Sequence, residues 1–109
     1  MIERRRTKRF AIRLPVEVVR QSFQPVSSIG ETKDLSAGGV LFSANLRVEL
    51  GEPLEYIIGF PSHSNLGPGV SLRCLGKVVR VEPNGASVEQ DAVMVAATLE
   101  RYEFVRPES

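Results

Sequence analysis

Residues 10–18 read Phe-Ala-Ile-Arg-Leu-Pro-Val-Glu-Val, an alternation of large apolar side chains with other residues that has a period of two. Successive side chains of a β-strand point to opposite faces, so this pattern predicts a half-buried strand over 10–18. Its buried face would consist of Phe10, Ile12, Leu14, Val16 and Val18. Pro15 cannot donate a ladder hydrogen bond and therefore marks an edge strand or the start of a strand.

Short apolar or alternating runs follow along the rest of the chain, separated by residues typical of turns. Further strands are predicted over 29–35, 40–44, 54–60, 70–81 and 91–99. The polar stretch 21–28, the Gly/Pro turn 51–53, the loop 61–69 and the turn 83–85 separate them. Residues 101–105 fit either a strand extension or a short helical turn. With no convincing amphipathic helix between the runs, an antiparallel barrel or sandwich is favoured over an α/β fold.

Length and composition predict one globular domain. The chain has 109 residues, of which 42% are hydrophobic and 25% charged, enough apolar surface for one core and too little chain for a second. The single cysteine, Cys74, lies in an apolar run and excludes an intramolecular disulfide, so we expect a buried, inert thiol and a reducing cytoplasm. The sequence shows neither an apolar run of about 18 residues nor a signal-peptide core, so we expect neither export nor membrane spanning.

Positive charge is concentrated at the N-terminal end. The net charge of the whole chain is +1, whereas residues 1–13 carry about +5 and the remainder about −4. The basic residues of this segment are Arg4, Arg5, Arg6, Lys8, Arg9 and Arg13, against Glu3 alone. A field localised in this way predicts an anionic partner.

Two short motifs carry the chemistry. Residues 4–9 contain RRxxxR, and residues 34–39 form DxSxxG between the second and third predicted strands. Taken separately, a basic run is commonly a solvated tail or a nonspecific nucleic-acid arm, and DxSxxG is commonly turn chemistry. Their order and their place around the first strands of a β-barrel make the combination specific.

In this combination the chain resembles the PilZ domain family. The resemblance covers nearly all of the chain and includes FAIRLPVEV, DLSAGGVLF, GEPLEYIIGFP and LGKVVRVEP. It implies a six-stranded antiparallel β-barrel of the split-barrel type, a bacterial cytoplasmic receptor for the second messenger cyclic di-GMP. It also implies one PilZ-like domain over 1–109, in which a flexible arginine-rich switch segment, 1–9, precedes the barrel, 10–106.

The resemblance also assigns roles to the arginines. It implies that Arg5 and Arg9 contact the phosphates and guanines of cyclic di-GMP, for which the planar fork of arginine is suited. It implies that Arg4, at the place before the RxxxR core, favours an intercalated dimer of the ligand, two ligands per protomer. Ordering of the basic segment on binding would signal to an unknown protein partner in trans.

Within DxSxxG, the resemblance implies that Asp34 accepts hydrogen bonds from a guanine edge and that Ser36 offers a hydroxyl. Gly39 would let the backbone approach the ligand. The family frequently has a Gly-Val-x-Phe-like last strand, from which Met94–Leu99 departs, so ligand contact from that strand stays open.

Two alternatives from other classes remain: a nucleic-acid-binding β-barrel with a basic arm, and a protein-interaction adaptor that binds no nucleotide. The first needs stacking aromatics, which are few, and the intact motifs argue against the second. The one histidine, His63, has no nearby partner ligand, so we expect no metal, no cofactor other than the messenger, and no catalysis. A monomer or weak homodimer is expected.

Overall fold

The computed structural model describes residues 9–61, 69–83 and 92–105. Seven strands make up this part: β1 (Pro15–Gln21), β2 (Gln24–Ser36), β3 (Gly39–Ala44), β4 (Pro53–Phe60), β5 (Val70–Pro83), β6 (Val93–Thr98) and β7 (Arg101–Val105). Residues 101–105 are therefore a strand and not a helical turn. No helix long and apolar enough to cross a membrane occurs in the described ranges.

Six of the strands close into an antiparallel barrel. Hydrogen-bonded neighbours follow the order β1, β2, β3, β6, β5 and β4, and β4 pairs with β1 to complete the ring. The seventh strand, β7, continues from β6 and pairs with the first half of β5 outside the ring. The predicted six-stranded antiparallel barrel is confirmed, and β7 is an addition to it.

The two longest strands, β2 and β5, each take part in both halves of the barrel. The first part of β2 pairs with β1 and its last residues with β3. The first part of β5 pairs with β4 and its last residues with β6. At these crossings the strands approach closely, and glycines occupy the points of contact. An added Cβ on Gly30 would overlap the carbonyl oxygen of Ser43, and an added Cβ on Gly76 would overlap the carbonyl oxygen of Thr98.

The core fills the barrel interior with alternate side chains of the six ring strands. Phe42 and Tyr56 are fully buried at its centre, with their ring centroids 5.5 Å apart. The Tyr56 hydroxyl donates a 2.8 Å hydrogen bond to the Thr98 carbonyl, and burial raises its pKa. Cys74 is buried as predicted, and burial raises the pKa of its thiol to about 12.

The first strand begins later than its sequence pattern suggests. The prediction placed the strand over 10–18, whereas β1 starts at Pro15 and continues to Gln21. Phe10 makes an isolated bridge to β2, and its side chain is 57% exposed. Upstream of Pro15 the segment contacts β2 through the Phe10 bridge and through Thr32, without continuous strand pairing, so Phe10 and Ile12 remain exposed whereas Leu14 is buried as predicted.

The turn between β1 and β2 is much tighter than predicted. A polar connection over 21–28 was expected, but Ser22 and Phe23 alone connect the strands. Both residues have left-handed backbone angles, with φ of 50° and 68°, which hairpin turns usually assign to Asn and Gly. The Ser22 hydroxyl donates a 2.6 Å hydrogen bond to Glu52, which fastens the tip to the start of β4.

Replacing Gly76 with alanine is expected to destabilise the barrel by about 1–3 kcal/mol, because the new methyl group must displace the backbone of β6. Gly38→Ala is the matched control, since a Cβ there meets nothing within 4 Å, and its effect should stay within about 0.5 kcal/mol. Urea denaturation of the two variants and the wild type measures both effects. Equal stability of the two variants would show that β5 and β6 are not in close contact at Gly76.

Candidate ligand-binding site

A β-bulge in β2 decides which of its side chains reach the outer surface. Lys33 is the extra residue, because Thr32 and Asp34 pair with consecutive residues of β3. In a regular strand Asp34 and Ser36 would share the inward face of Thr32, which is buried. The bulge reverses the alternation, so that Leu35 packs against the core while Asp34 and Ser36 line an external groove.

A second bulge does the same on β5. Val79 is the extra residue there, because Val78 and Arg80 pair with the consecutive residues Ala97 and Ala96 of β6. Val78 is buried, whereas Val79 is 57% exposed and the Arg80 side chain is exposed to the same extent. Two successive side chains of β5 therefore face outwards, and both line the same groove as Asp34.

The strand register places Asp34 and Arg80 in one row across four strands. Asp34 pairs with Leu41, Leu41 with Ala96, and Ala96 with Arg80. Since neighbouring strands lie 4.7–4.9 Å apart, the two charged residues stand about 14 Å apart along this row. The groove thus has a carboxylate on one wall, a guanidinium on the other and two apolar side chains on the floor between them.

The DxSxxG turn forms the end of this groove, which has a volume of about 340 Å³. The Ser36 hydroxyl donates to the Gly39 carbonyl and accepts from the Gly38 amide, both at 3.3 Å. Leu99 N–H donates to the Gly38 carbonyl at 3.1 Å and ties the turn to the end of β6. A Cβ on Gly39 would lie 3.0 Å from the Ala97 carbonyl oxygen, so close strand packing as well as ligand access favours glycine there.

The segment before β1 is held against the groove by backbone hydrogen bonds. Phe10 N–H donates to the Leu35 carbonyl at 2.8 Å, and Leu35 N–H donates to the Phe10 carbonyl at 2.9 Å. This antiparallel bridge places Arg9 beside Ser36, and Arg9 lines the groove. The first basic residue that the structure describes therefore lies at the DxSxxG turn.

Thr32 also holds the segment before β1 in place by hydrogen bonds. Its hydroxyl donates to the Ile12 carbonyl at 2.6 Å and accepts from the Leu14 amide at 2.8 Å. Thr32 N–H also donates to the Leu14 carbonyl at 2.8 Å. A buried side chain of β2 thus fixes the path by which the N-terminal segment enters the barrel.

Four of the six predicted site residues meet in this groove: Arg9, Asp34, Ser36 and Gly39. Arg4 and Arg5 lie outside the described residues, as does His63. Within the described ranges, no group of three or more potential metal ligands occurs.

Sequence reasoning missed the residues that β5 and β6 contribute. Arg80, Ala96 and Thr98 line the groove, so the outer face of β6, the strand from which the sequence left ligand contact open, borders it. The sequence indicates the outward position of Arg80 only through the pair Val78-Val79, which interrupts the alternation of apolar and polar residues near the end of β5.

Comparisons with known proteins agree with this architecture. A model of the PilZ domain matches residues 3–104. A solved structure of the inhibitor of motility MotI/DgrA from Bacillus subtilis has a TM-score of 0.68 and 19% identity, and the match covers 94% of this chain and 45% of that one. The chain therefore spans less than half the length of that protein, and the likeness supports the fold. Curated proteins yield no match.

Thr32→Val keeps the shape of the side chain but removes the hydroxyl that holds Ile12 and Leu14. Because the Leu14 amide then loses its partner in a buried place, the free energy of unfolding should fall by about 1–3 kcal/mol. Amide hydrogen exchange at Leu14 should accelerate together with the loss in melting temperature. Thr32→Ser, which keeps the hydroxyl, is the control; a Thr32→Val protein as stable and as protected as the wild type would contradict this role.

Proposed function

This chain belongs to the PilZ domain family, a family of cyclic di-GMP receptors, and on that premise we propose that it binds cyclic di-GMP on the outer face of β2, β3, β6 and β5. One observation carries the proposal. The residues that match the family motifs within the described ranges, Arg9 from the basic segment and Asp34, Ser36 and Gly39 from DxSxxG, line a single groove although Arg9 is 25 or more positions away in sequence.

The chemistry of the groove suits this ligand. Cyclic di-GMP presents two phosphodiesters and two guanines, each guanine with two N–H donors on one edge and the acceptors O6 and N7 on another. Among the described residues, the Asp34 side chain has no hydrogen-bond or ion-pair partner, so its carboxylate is available to the guanine donors. Arg9 offers charge-assisted donors to a phosphate or to O6 and N7.

The basic segment completes the site in this proposal. Arg5 joins Arg9 in binding phosphate and guanine, and Arg4 supports a second, intercalated ligand. A segment that becomes ordered when it contacts the ligand loses conformational entropy, which lowers affinity but converts binding into a change of shape. A protein partner in trans would read this change, and the proposal assigns no catalytic step to the chain.

The groove favours this function over nucleic-acid binding. None of the described residues that line it is aromatic, and proteins that bind single strands without sequence preference rely on aromatic platforms. The acidic side chain of Asp34 within the groove would also repel a continuous phosphate backbone. An isolated cyclic dinucleotide, with guanine edges accessible, fits both features.

Isothermal titration of cyclic di-GMP should show saturable binding to the wild type that is nearly lost in an Arg5→Ala, Arg9→Ala double variant. Each bidentate arginine contact is worth about 1–3 kcal/mol, so one removal weakens binding about 5- to 150-fold. Arg13→Ala is the matched control, because Arg13 is exposed and does not line the groove. GMP and single-stranded DNA serve as competing ligands; absence of cyclic di-GMP binding, or equal binding of DNA by both proteins, would contradict the proposal.

Stoichiometry tests the role given to Arg4. The wild type is expected to bind two molecules of cyclic di-GMP per protomer, whereas Arg4→Leu should bind one, because the apolar side chain provides no donor for the phosphates of a second ligand. The molar ratio from the titration measures this directly. A ratio of one for the wild type, or of two for both proteins, would contradict the assignment.

A further inference from the structure

Among the described residues that line the groove, Arg80 is the charged one that neither family motif includes. We propose that Arg80 is a ligand-binding residue, whose guanidinium binds acceptor atoms of cyclic di-GMP at the β5 wall while Asp34 binds donors at the β2 wall. This inference rests on the proposed function and extends it to a strand that carries neither motif. The acceptors available are phosphodiester oxygens and guanine O6 and N7, all of which match the arginine fork.

The backbone of β5 aims this side chain at the groove. In an unbroken alternation, Arg80 would follow the buried Val78 onto the inward face. The extra residue Val79 turns Arg80 outwards, into the cross-strand row that ends at Asp34. Bulges of this kind are enriched beside binding and active sites, where they redirect one side chain.

The floor between the two charged walls leaves space for a flat ligand. It consists of Leu41 and Ala96 in the row of Asp34, and of Gly39 and Thr98 in the next row. Ala96 and Gly39 are among the smallest side chains, so the floor remains low where β3 and β6 pair. A planar base can therefore lie across the strands between Asp34 and Arg80.

Arg80 has one carboxylate partner in the described structure, on its own strand. Its Nε lies 2.8 Å from Glu82 Oε2, and the two side chains are 57% and 50% exposed. Exposed ion pairs of this kind are weak, and Glu82 engages the Nε side of the fork. An anionic ligand in the groove competes with Glu82 for the guanidinium, so Glu82 is expected to reduce the affinity for ligand.

Arg73 supplies a matched control on the same strand. It is 50% exposed, and its Nε lies 2.6 Å from Oε2 of Glu55, a carboxylate that is 11% exposed and also pairs with Arg20. Arg73 faces a different part of the surface, beside β4 and β7, and does not line the groove. Arg80→Ala and Arg73→Ala therefore each remove one positive charge and one ion pair, but only Arg80→Ala removes a cation from the groove.

Titration of cyclic di-GMP into Arg80→Ala, Arg73→Ala and wild-type protein tests the inference. Arg80→Ala should weaken binding about 5- to 150-fold, whereas Arg73→Ala should leave it within about twofold. Thermal melts should show both variants folded. Equal affinities of Arg80→Ala and the wild type, or equal losses in the two variants, would overturn the assignment.

Glu82→Gln provides a readout that a purely structural role of Arg80 would not produce. Release of the guanidinium should tighten binding about 1.5- to 5-fold in the wild-type background. In the Arg80→Ala background, the same substitution should lose most of this gain, because no guanidinium remains to be released. An equal gain in both backgrounds would indicate a diffuse charge effect and would contradict the proposed competition.

The outcomes separate this inference from the function on which it rests. Binding that requires Arg5 and Arg9 but not Arg80 would leave the receptor function intact and overturn the role of Arg80. No binding of cyclic di-GMP by the wild type would overturn both.

Discussion

The candidate site depends on the period of two in a β-strand and on the two residues that interrupt it. If Lys33 were paired as in a regular strand, the side chains of Asp34 and Ser36 would point into the barrel core, and regular pairing of Val79 would turn Arg80 inwards in the same way. A buried carboxylate or guanidinium without a partner is costly, so a regular barrel could not hold these residues at those positions. Each bulge redirects its strand at the point where the pairing changes, and the groove lies between the redirected residues.

The barrel forms the floor of the groove, and the segment before β1 brings Arg9 to its edge. The groove floor is made of paired strands whose backbone groups already bond to one another, so a ligand bound there would engage side chains. The segment that carries Arg9 is itself held by the Phe10–Leu35 bridge and by the Thr32 hydroxyl. These contacts lie next to Arg9 and hold it at the DxSxxG turn.

The sequence was informative where alternation and turn residues agree, and it failed where the backbone departs from regular geometry. The glycine and proline residues of the turn 51–53 and the loop 61–69 showed where β4 and β5 begin. The motif residues Asp34, Ser36 and Gly39 were identified by their spacing. The turn at Ser22 and Phe23 was missed because neither residue normally adopts left-handed angles, and the start of β1 was misplaced because alternation does not show where a neighbouring strand ends. Arg80 was missed because a bulge is set by the pairing of distant strands.

The most direct test of the binding face is to titrate uniformly ¹⁵N-labelled protein with cyclic di-GMP and to follow each backbone amide by NMR. The largest shifts are expected on the cross-strand rows, at Asp34, Ser36, Gly39, Ala96 and Arg80, with smaller changes across the Arg73 surface beside β7. Shifts that cluster on the Arg73 surface, or that spread over the barrel without favouring the outer face of β2, β3, β6 and β5, would contradict it.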